Sequence, residues 1–300
     1  MTTQHILSPK LLTNLFGTDG IRGNASHAPY LQDDFLLILG QTLVAWAHQS
    51  DAEPRFLIAH DSRSSSRRIQ NALRRGIAAA GGQTIIAGML PSPALISIVR
   101  QAATYAAGIM ITASHNAAAD NGIKFCSNRG KITTDDEQQL RLLLSKHTIT
   151  TCKLLPLPRL KQLPKHQLTS YVTGLLELMP SRALAGLTIV LDCANGATSQ
   201  LAENLFTAAG ASVHVYANTP SGTNINDRCG STYPTYLQDL VQKHRAHVGF
   251  AFDGDGDRVL AINPEGHIKE GDDLLALLLT HPRFSAAPTL VGTSMSNEGL

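Results

Sequence analysis

The chain has 300 residues, 43% of them hydrophobic, and a formal net charge of +2, which is enough apolar content for about two ordinary globular domains with their own cores. Basic residues are too scattered to build a face for nucleic acid or anionic lipid, and apolar stretches such as residues 36–47 fall short of the about 20 residues needed to span a bilayer. The four cysteines, Cys126, Cys152, Cys193 and Cys229, stand far apart with no CxxC pair, which argues against a zinc knuckle and a disulfide framework and fits reduced thiols in a cytoplasmic protein.

Residues 1–13 carry no basic patch followed by an unbroken apolar run, so they read as a short lead-in rather than a secretion signal. Residues 16–23, FGTDGIRG, come next. Glycines beside a Thr, an Asp and an Arg let the backbone approach a phosphate closely, with Arg22 as a forked partner; alone, such a segment is equally a plain surface loop. A strand over residues 56–61 then ends in Asp61. It is followed by a serine-rich cap, a helix through Ile69, Leu73 and Ile77, a glycine stop at Gly81 and a second strand over 84–87. Arg63, Arg67, Arg68, Arg74 and Arg75 are expected on that helix as a solvated face.

The apolar run at 108–111 predicts a strand ending in Thr112-Ala113-Ser114-His115-Asn116. Ser114 is a candidate nucleophile. A serine hydroxyl is weak unaided, so phosphoryl transfer through it requires a cation against developing charge and a neighbouring acid or base; His115 and Lys124 are the candidates. Lys124 lies in Asp120–Phe125, DNGIKF, read as an Asn-Gly turn leading into an apolar strand. Residues 134–137, Thr-Asp-Asp-Glu, read as a capping box opening a helix through Leu140 and Leu144. Residues 151–165, with Pro156, Pro158 and Pro164, read as a linker.

The earlier pattern then repeats: a strand over 188–192 ending in Asp192, a helix through Leu201 and Leu205, a stop at Gly210 and a strand over 212–216. Each copy reaches a Pro-Ser turn, Pro91-Ser92 or Pro220-Ser221. One βαβ module used twice implies an α/β fold. Residues 252–258, FDGDGDR, sit between apolar runs at 248–252 and 259–262. Alternate spacing lets Asp253, Asp255 and Asp257 converge on one hard cation while the glycines permit the turn, and an all-oxygen set suits Mg²⁺. An EF-hand is excluded, since counting from Asp253 the sixth residue is Arg258 and the twelfth is Pro264. A phosphatase with a strand-end aspartate nucleophile stays open on this loop alone. A third module start is expected at 289–293, with Ser294–Asn297 as a helix cap. A strand and one helical turn cannot bury their faces, so this C-terminal segment reads as incomplete.

In their order, these segments resemble the phosphohexomutase family: FGTDGIRG at 16–23, TASHN at 112–116, DNGIKF at 120–125, DCANGA at 192–197, GTNIN with CGST at 222–232, FDGDGDR at 252–258 and VGTSMSN at 291–297. Their wording is closest to the branch acting on glucosamine phosphates. The resemblance implies repeated βαβ-type three-layer modules: a first domain over residues 14–150 with the phosphoserine loop, a linker over 151–165, a second domain over 166–268 with the metal-binding loop, and the incomplete start of a third over 269–300. It also implies an intramolecular phosphotransferase of the isomerase class. Such an enzyme moves phosphate reversibly between O6 and O1 of glucosamine phosphate, on the way to UDP-N-acetylglucosamine and cell-wall synthesis.

By the same resemblance Ser114 carries the phosphate, and Mg²⁺ is held by Asp253, Asp255, Asp257 and an oxygen of phospho-Ser114. His115 and Lys124 lie near the transferred proton, Arg22 and Arg258 steady charge around the phosphoserine, and a hexosamine 1,6-bisphosphate is both intermediate and activator. The implied partner is a small phosphosugar, with no nucleic acid and no membrane. Mannose or glucose phosphates as substrates, or a non-catalytic fragment that binds Mg²⁺ or phosphosugar, are the competing readings. The chain departs from the family at Ala117, where Pro is usual, and at Ala59-His60, where Gly and a basic residue are usual. The family's sugar-contacting and phosphate-gripping loops have no counterpart in these residues, so impaired mutase turnover is expected of them.

Overall fold

The computed structural model of the chain describes residues 5–6, 9–49, 52–146, 148–149, 156–282, 289–292 and 296. In the first unit, β1 (His5–Ile6) and α1 (Pro9–Thr13) lead to β2 (Ile21–Asn24), α2 (Asp33–Gln49) and β3 (Arg55–His60). Next come α3 (Ser66–Ala79), β4 (Gln83–Met89), α4 (Ser92–Gln101), β5 (Ala107–Ile111), β6 (Asp120–Ser127), β7 (Gly130–Lys131), α5 (Thr134–Ser145) and β8 (Thr148–Ile149). The main sheet runs β2-β6-β5-β3-β4, with β7 a hairpin partner of β6, and β1 pairs with β8 separately. Strands β5, β3 and β4 are parallel, whereas β6 is antiparallel to both of its neighbours.

Strand alternation sorts the core into two layers. Phe56 and Ile58 join Ile109, Ile111 and the apolar faces of α2, α3 and α5 on one side. Leu57 and Ala59 join Met110 and α4 on the other. Helices α2 and α3 cross at backbone contact: a Cβ on Gly76 would lie 2.0 Å from Leu37 O, and one on Gly40 would lie 2.5 Å from Leu73 O. The apolar run at 36–47 is thus a buried helix, and no helix among the described residues is long and apolar enough to cross a membrane.

The second unit contains α6 (Lys165–Leu176), β9 (Thr188–Asp192), α7 (Ala202–Ala208), β10 (Ser212–Tyr216), α8 (Pro234–His244), β11 (Val248–Phe252), β12 (Val259–Ile262) and β13 (Ile268–Lys269), and α9 (Gly271–Leu279) follows it. Its sheet runs β10-β9-β11-β12-β13, parallel through the first three strands and antiparallel beyond. The α8 side packs on Val190, Ala251 and Ile262, and the α7 side on Ile189 and Leu191. The repeated module is present as read: β3-α3-β4 and β9-α7-β10 both pair their strands in parallel. Gly81 and Gly210 stop the two helices at φ of 85° and 103°, a region costly for residues with a Cβ.

Four expectations need correction. Arg63 and Arg74 are 2% exposed rather than part of a solvated helix face. Arg63 precedes the helix and turns inward to Asp61, while Arg74 donates 2.7 Å to Pro158 O and holds down the linker. The Asn121-Gly122 pair is not a turn but the start of β6, because β2 and Thr112 approach so closely that a Cβ on Gly122 would meet Ile21 O at 2.4 Å and Thr112 O at 2.7 Å. The capping box is one residue earlier than expected, formed by Thr133 with Asp136, because Thr133 is the residue in extended conformation (φ −80°, ψ 166°). Residues 289–292 are not in a strand; Thr293–Met295, Asn297–Leu300 and Cys152 lie outside the described residues.

The linker, where described, is tied to the first unit. Ile86 N donates 2.8 Å to Lys161 O and Leu163 N donates 2.9 Å to Ile86 O, so this segment runs along the outer edge of β4.

Candidate active site

Strand β5 ends at Ile111 and delivers Ser114 to the junction of the two units. Ser114 has φ of 53°, a left-handed conformation that a residue with a Cβ adopts at a cost of roughly 1–3 kcal/mol unless its surroundings hold it. They do: Ser114 N donates 2.8 Å to Thr112 Oγ1, which itself donates 2.7 Å to Asp61 Oδ2. Asp61 is paired at 2.9 Å with Arg63 Nε, and both side chains are fully buried. The Arg63 guanidinium then donates to the carbonyls of Ser114 (3.0 Å), Asn116 (2.8 Å), Asp120 (2.9 Å) and Ala117. One buried arginine thus organises the whole serine loop. Burial pushes the Asp61 carboxyl up, against the opposing pull of the Arg63 charge.

The hairpin β11–β12 brings the three aspartates to the same point. Ser114 Oγ donates 2.5 Å to Asp253 Oδ2. Carboxylate oxygens of Asp253, Asp255 and Asp257 lie within 4.8 Å of one another, the first two residues buried and the third at the surface. Burial, reinforced by the Asp255 and Asp257 charges, pushes Asp253 up to about 7, opposed by the Ser114 hydrogen bond. Lys124, from β6, reaches into the group with Nζ at 2.9 Å from Asp255, 2.7 Å from Asp257 and 2.8 Å from Asp19. Burial works against its charge, but Asp255 and Asp257 outweigh burial and hold the ammonium well above its ordinary range. Oxygen Oδ1 of Asp255 is buried with no partner among the described residues, an orphaned anionic acceptor of the kind a hard cation satisfies. The residues present therefore fit a divalent metal ion.

His115 Nδ1 lies 3.5 Å from Ser114 Oγ. Burial, then the Arg258 and Arg22 charges, lower its pKa below the ordinary histidine value, so the ring is neutral at pH 7 and able to accept a proton. Arg22 stands at the rim, 3.3 Å from Asp19, and Arg258 is half exposed, 4.0 Å from Asp257. The structure thus brings Ser114, His115, Lys124 and the three aspartates together, with Arg22 and Arg258 at the edge.

Sequence reading missed the residues behind this group. Besides Asp61, Arg63 and Thr112 these are Ser92, whose Oγ donates to Asp255 Oδ2, and Asn226, whose Nδ2 donates to Ser114 O and Asn116 O. The Asp61-Ser62-Arg63 spacing at a strand end was the available signal for the first pair. Ser92 and Asn226 act across the two units, a relation no local pattern carries. The contact between units is close: a Cβ on Gly254 would sit 2.5 Å from Ser114 O. Ser64 N donates 2.9 Å to Gly222 O, and Ser62 Oγ donates 2.5 Å to Asn195 O.

Models of the phosphoglucomutase/phosphomannomutase alpha/beta/alpha domain I and domain II match residues 13–148 and 169–266. Phosphoglucosamine mutases are similar along nearly the whole chain. That of Pseudomonas paraeruginosa (strain PA7) is 40% identical over 288 residues, and that of Pseudomonas fluorescens (strain SBW25) is 40% identical over 291, each match covering 95% of this chain. The chain spans 64% of the length of these relatives. Among solved structures, a phosphoglucomutase/phosphomannomutase family protein from Burkholderia thailandensis superposes with a TM-score of 0.73 at 26% identity, covering 88% of this chain and 57% of that one. Parafusin, a phosphoglucomutase from Paramecium, superposes at 0.71 with 18% identity over 94% of this chain and 59% of that one, a likeness of fold.

Proposed function

We infer the activity from the family as premise: the chain belongs to the phosphoglucomutase/phosphomannomutase family, and its proposed reaction is the interconversion of glucosamine 6-phosphate and glucosamine 1-phosphate. The observation that carries this reading is Ser114 Oγ, buried and 2.5 Å from Asp253 Oδ2, at the point where three carboxylates and Lys124 meet. Identity of about 40% to phosphoglucosamine mutases supports glucosamine phosphates over mannose or glucose phosphates.

In this reading, residues 14–150 supply the phosphate-carrying serine, residues 166–268 supply the carboxylates, and 269–300 begin a third domain. Asp253, Asp255 and Asp257 would hold Mg²⁺, with an oxygen of phospho-Ser114, and the ion would supply positive charge beside the phosphoryl oxygens. When a phosphate is taken from a 1,6-bisphosphate, the Ser114 O–P bond forms as the sugar O–P bond breaks. The serine proton leaves toward His115, whose Nδ1 lies 3.5 Å from Ser114 Oγ, and the sugar oxygen gains a proton. Of the two acid/base candidates, the neutral His115 is suited to accepting a proton. Lys124, held charged by its carboxylates, is suited to fixed electrostatic stabilisation. Arg22 and Arg258 at the rim would meet incoming phosphate by charge and forked hydrogen bonding. Left-handed Ser114, with its carbonyl gripped from behind, presents the hydroxyl forward with little reorganisation left to make.

Competition tests the substrate class. In a chain that also carries the family's sugar-contacting and phosphate-gripping loops, glucosamine phosphate should be converted at least about tenfold faster than glucose or mannose phosphate. Equal rates would remove glucosamine phosphate as the assigned substrate.

A further inference from the structure

We propose that the two domains exchange positioning side chains: Ser92 of the first orients Asp255 of the second toward the cation, and Asn226 of the second orients the Ser114 loop of the first. The proposal rests on the phosphoryl-transfer reading above and assigns roles to two residues that touch none of the reacting atoms.

Ser92 opens α4 and is 4% exposed. It holds Asp255 at two points: its N–H donates 2.9 Å to the Asp255 carbonyl, and its hydroxyl donates to Asp255 Oδ2. Lys124 Nζ approaches the same Oδ2 at 2.9 Å. Both partners take one oxygen and leave Oδ1 buried and, among the described residues, unpartnered. A carboxylate gripped on one oxygen from α4 and from β6 is held against rotation, and its other oxygen is reserved for a further cation. Without the Ser92 hydroxyl, the carboxylate is free to rotate and offer both oxygens to Lys124. Outer partners of metal-binding carboxylates typically change metal affinity by about 10- to 100-fold when removed.

Asn226 performs the reverse service. Its backbone is left-handed, with φ of 58°, and its N–H donates 2.9 Å to Ala194 O, which fixes it to the turn after β9. Its Nδ2 donates 2.8 Å to Ser114 O and 3.0 Å to Asn116 O. These two carbonyls are the ones that receive Arg63 Nη2, at 3.0 and 2.8 Å. The peptide segment flanking His115 is therefore held by one donor from each domain. Loss of the second-domain donor leaves these two carbonyls of the strained serine loop to Arg63, and small misplacements of a reacting group cost up to about 100-fold in rate.

The test uses the 300-residue chain as wild type, Ser92→Ala, Ser92→Thr and Asn226→Gly, the glycine chosen because it keeps the left-handed backbone without strain. Two readouts are taken: Mn²⁺ affinity by electron paramagnetic resonance, and the rate of Ser114 phosphorylation by glucosamine 1,6-bisphosphate at saturating Mg²⁺. Ser92→Ala should weaken Mn²⁺ about tenfold, Ser92→Thr should restore it, and saturating metal should recover most of the phosphorylation rate. Asn226→Gly should keep Mn²⁺ affinity within about twofold while slowing phosphorylation at least about tenfold at saturating metal. Variants that move both readouts together, or neither, overturn the exchange, since a merely structural role has no reason to separate them. If wild type takes up no phosphate from the bisphosphate, the functional reading falls and takes the Asn226 half with it, while the Ser92 half stands or falls on Mn²⁺ alone.

Discussion

Replacing Arg63 by alanine removes the cation from a pair whose two side chains are wholly buried and takes a charged donor from four carbonyls of the serine loop. Deleting one partner of a buried ion pair costs about 3–5 kcal/mol, and each carbonyl left short of a donor adds to that. A loss on the order of 5 kcal/mol is a large part of the roughly 5–15 kcal/mol that holds a domain together. The exposed pair between Arg68 and Asp33, with side chains 38% and 52% accessible, is the comparison; Asp33→Asn should cost about 1 kcal/mol or less. Urea unfolding followed by fluorescence measures both, because the single tryptophan, Trp46, is buried in the first domain on α2. The loss also has a pH signature. Burial already raises the Asp61 pKa, and without Arg63 the charge that opposes this shift is gone. A carboxyl whose folded pKa is raised stabilises the fold below its unfolded pKa and loses that contribution as pH rises through the folded value. The Arg63→Ala deficit should therefore be smaller at pH 5 than at pH 8, and Asp61→Asn added to it should cost less than the sum of the two changes. A deficit under about 1 kcal/mol at pH 8 would refute the assignment of Arg63 as organiser of the loop.

Gly254→Ala should abolish phosphate uptake while leaving the Trp46 unfolding midpoint nearly unchanged, since the new Cβ would press within 2.5 Å of Ser114 O from the other domain; wild-type uptake would contradict the close approach. The thiols of Cys126, Cys193 and Cys229 are buried and pushed up to about 12 by burial, so a disulfide reagent at pH 8 should leave all three unmodified until urea is added, as read by peptide mass spectrometry. Asp192 is wholly buried and raised by burial to about 6, against the opposing hydrogen bonds from Ala194 and Gly230. By the same sign rule, wild type should lose on the order of 2–3 kcal/mol relative to Asp192→Asn between pH 4 and pH 7, measured by urea unfolding; a flat difference would remove that assignment.

Much of the site was legible because its chemistry is local in sequence. Alternate aspartates between two apolar runs give a hairpin of carboxylates, and a strand ending in Thr-Ala-Ser-His-Asn gives a serine at a sheet end; the structure places both together as Ser114 and Asp253. The βαβ repeat was legible for the same reason, since strand period, helix period and glycine stop each lie within a few residues. Reading failed where tertiary contact overrides local preference. Asn121-Gly122 has the composition of a turn, yet the approach of Ile21 and Thr112 recruits it into a strand. Arg63 and Arg74 have the charge of surface residues, yet buried carbonyls and Asp61 take them inward. Ser92 and Asn226 were silent because their partners lie 163 and 112 residues away.

Ser114 is proposed as the phosphate carrier of an assembled transfer centre. Incubation of the chain with Mg²⁺ and glucosamine 1,6-bisphosphate, followed by phosphopeptide mapping, tests it directly. Phosphate on Ser114 that is lost in Asp255→Ala is the predicted result. A folded chain that takes up no phosphate, or takes it up elsewhere, would contradict the account.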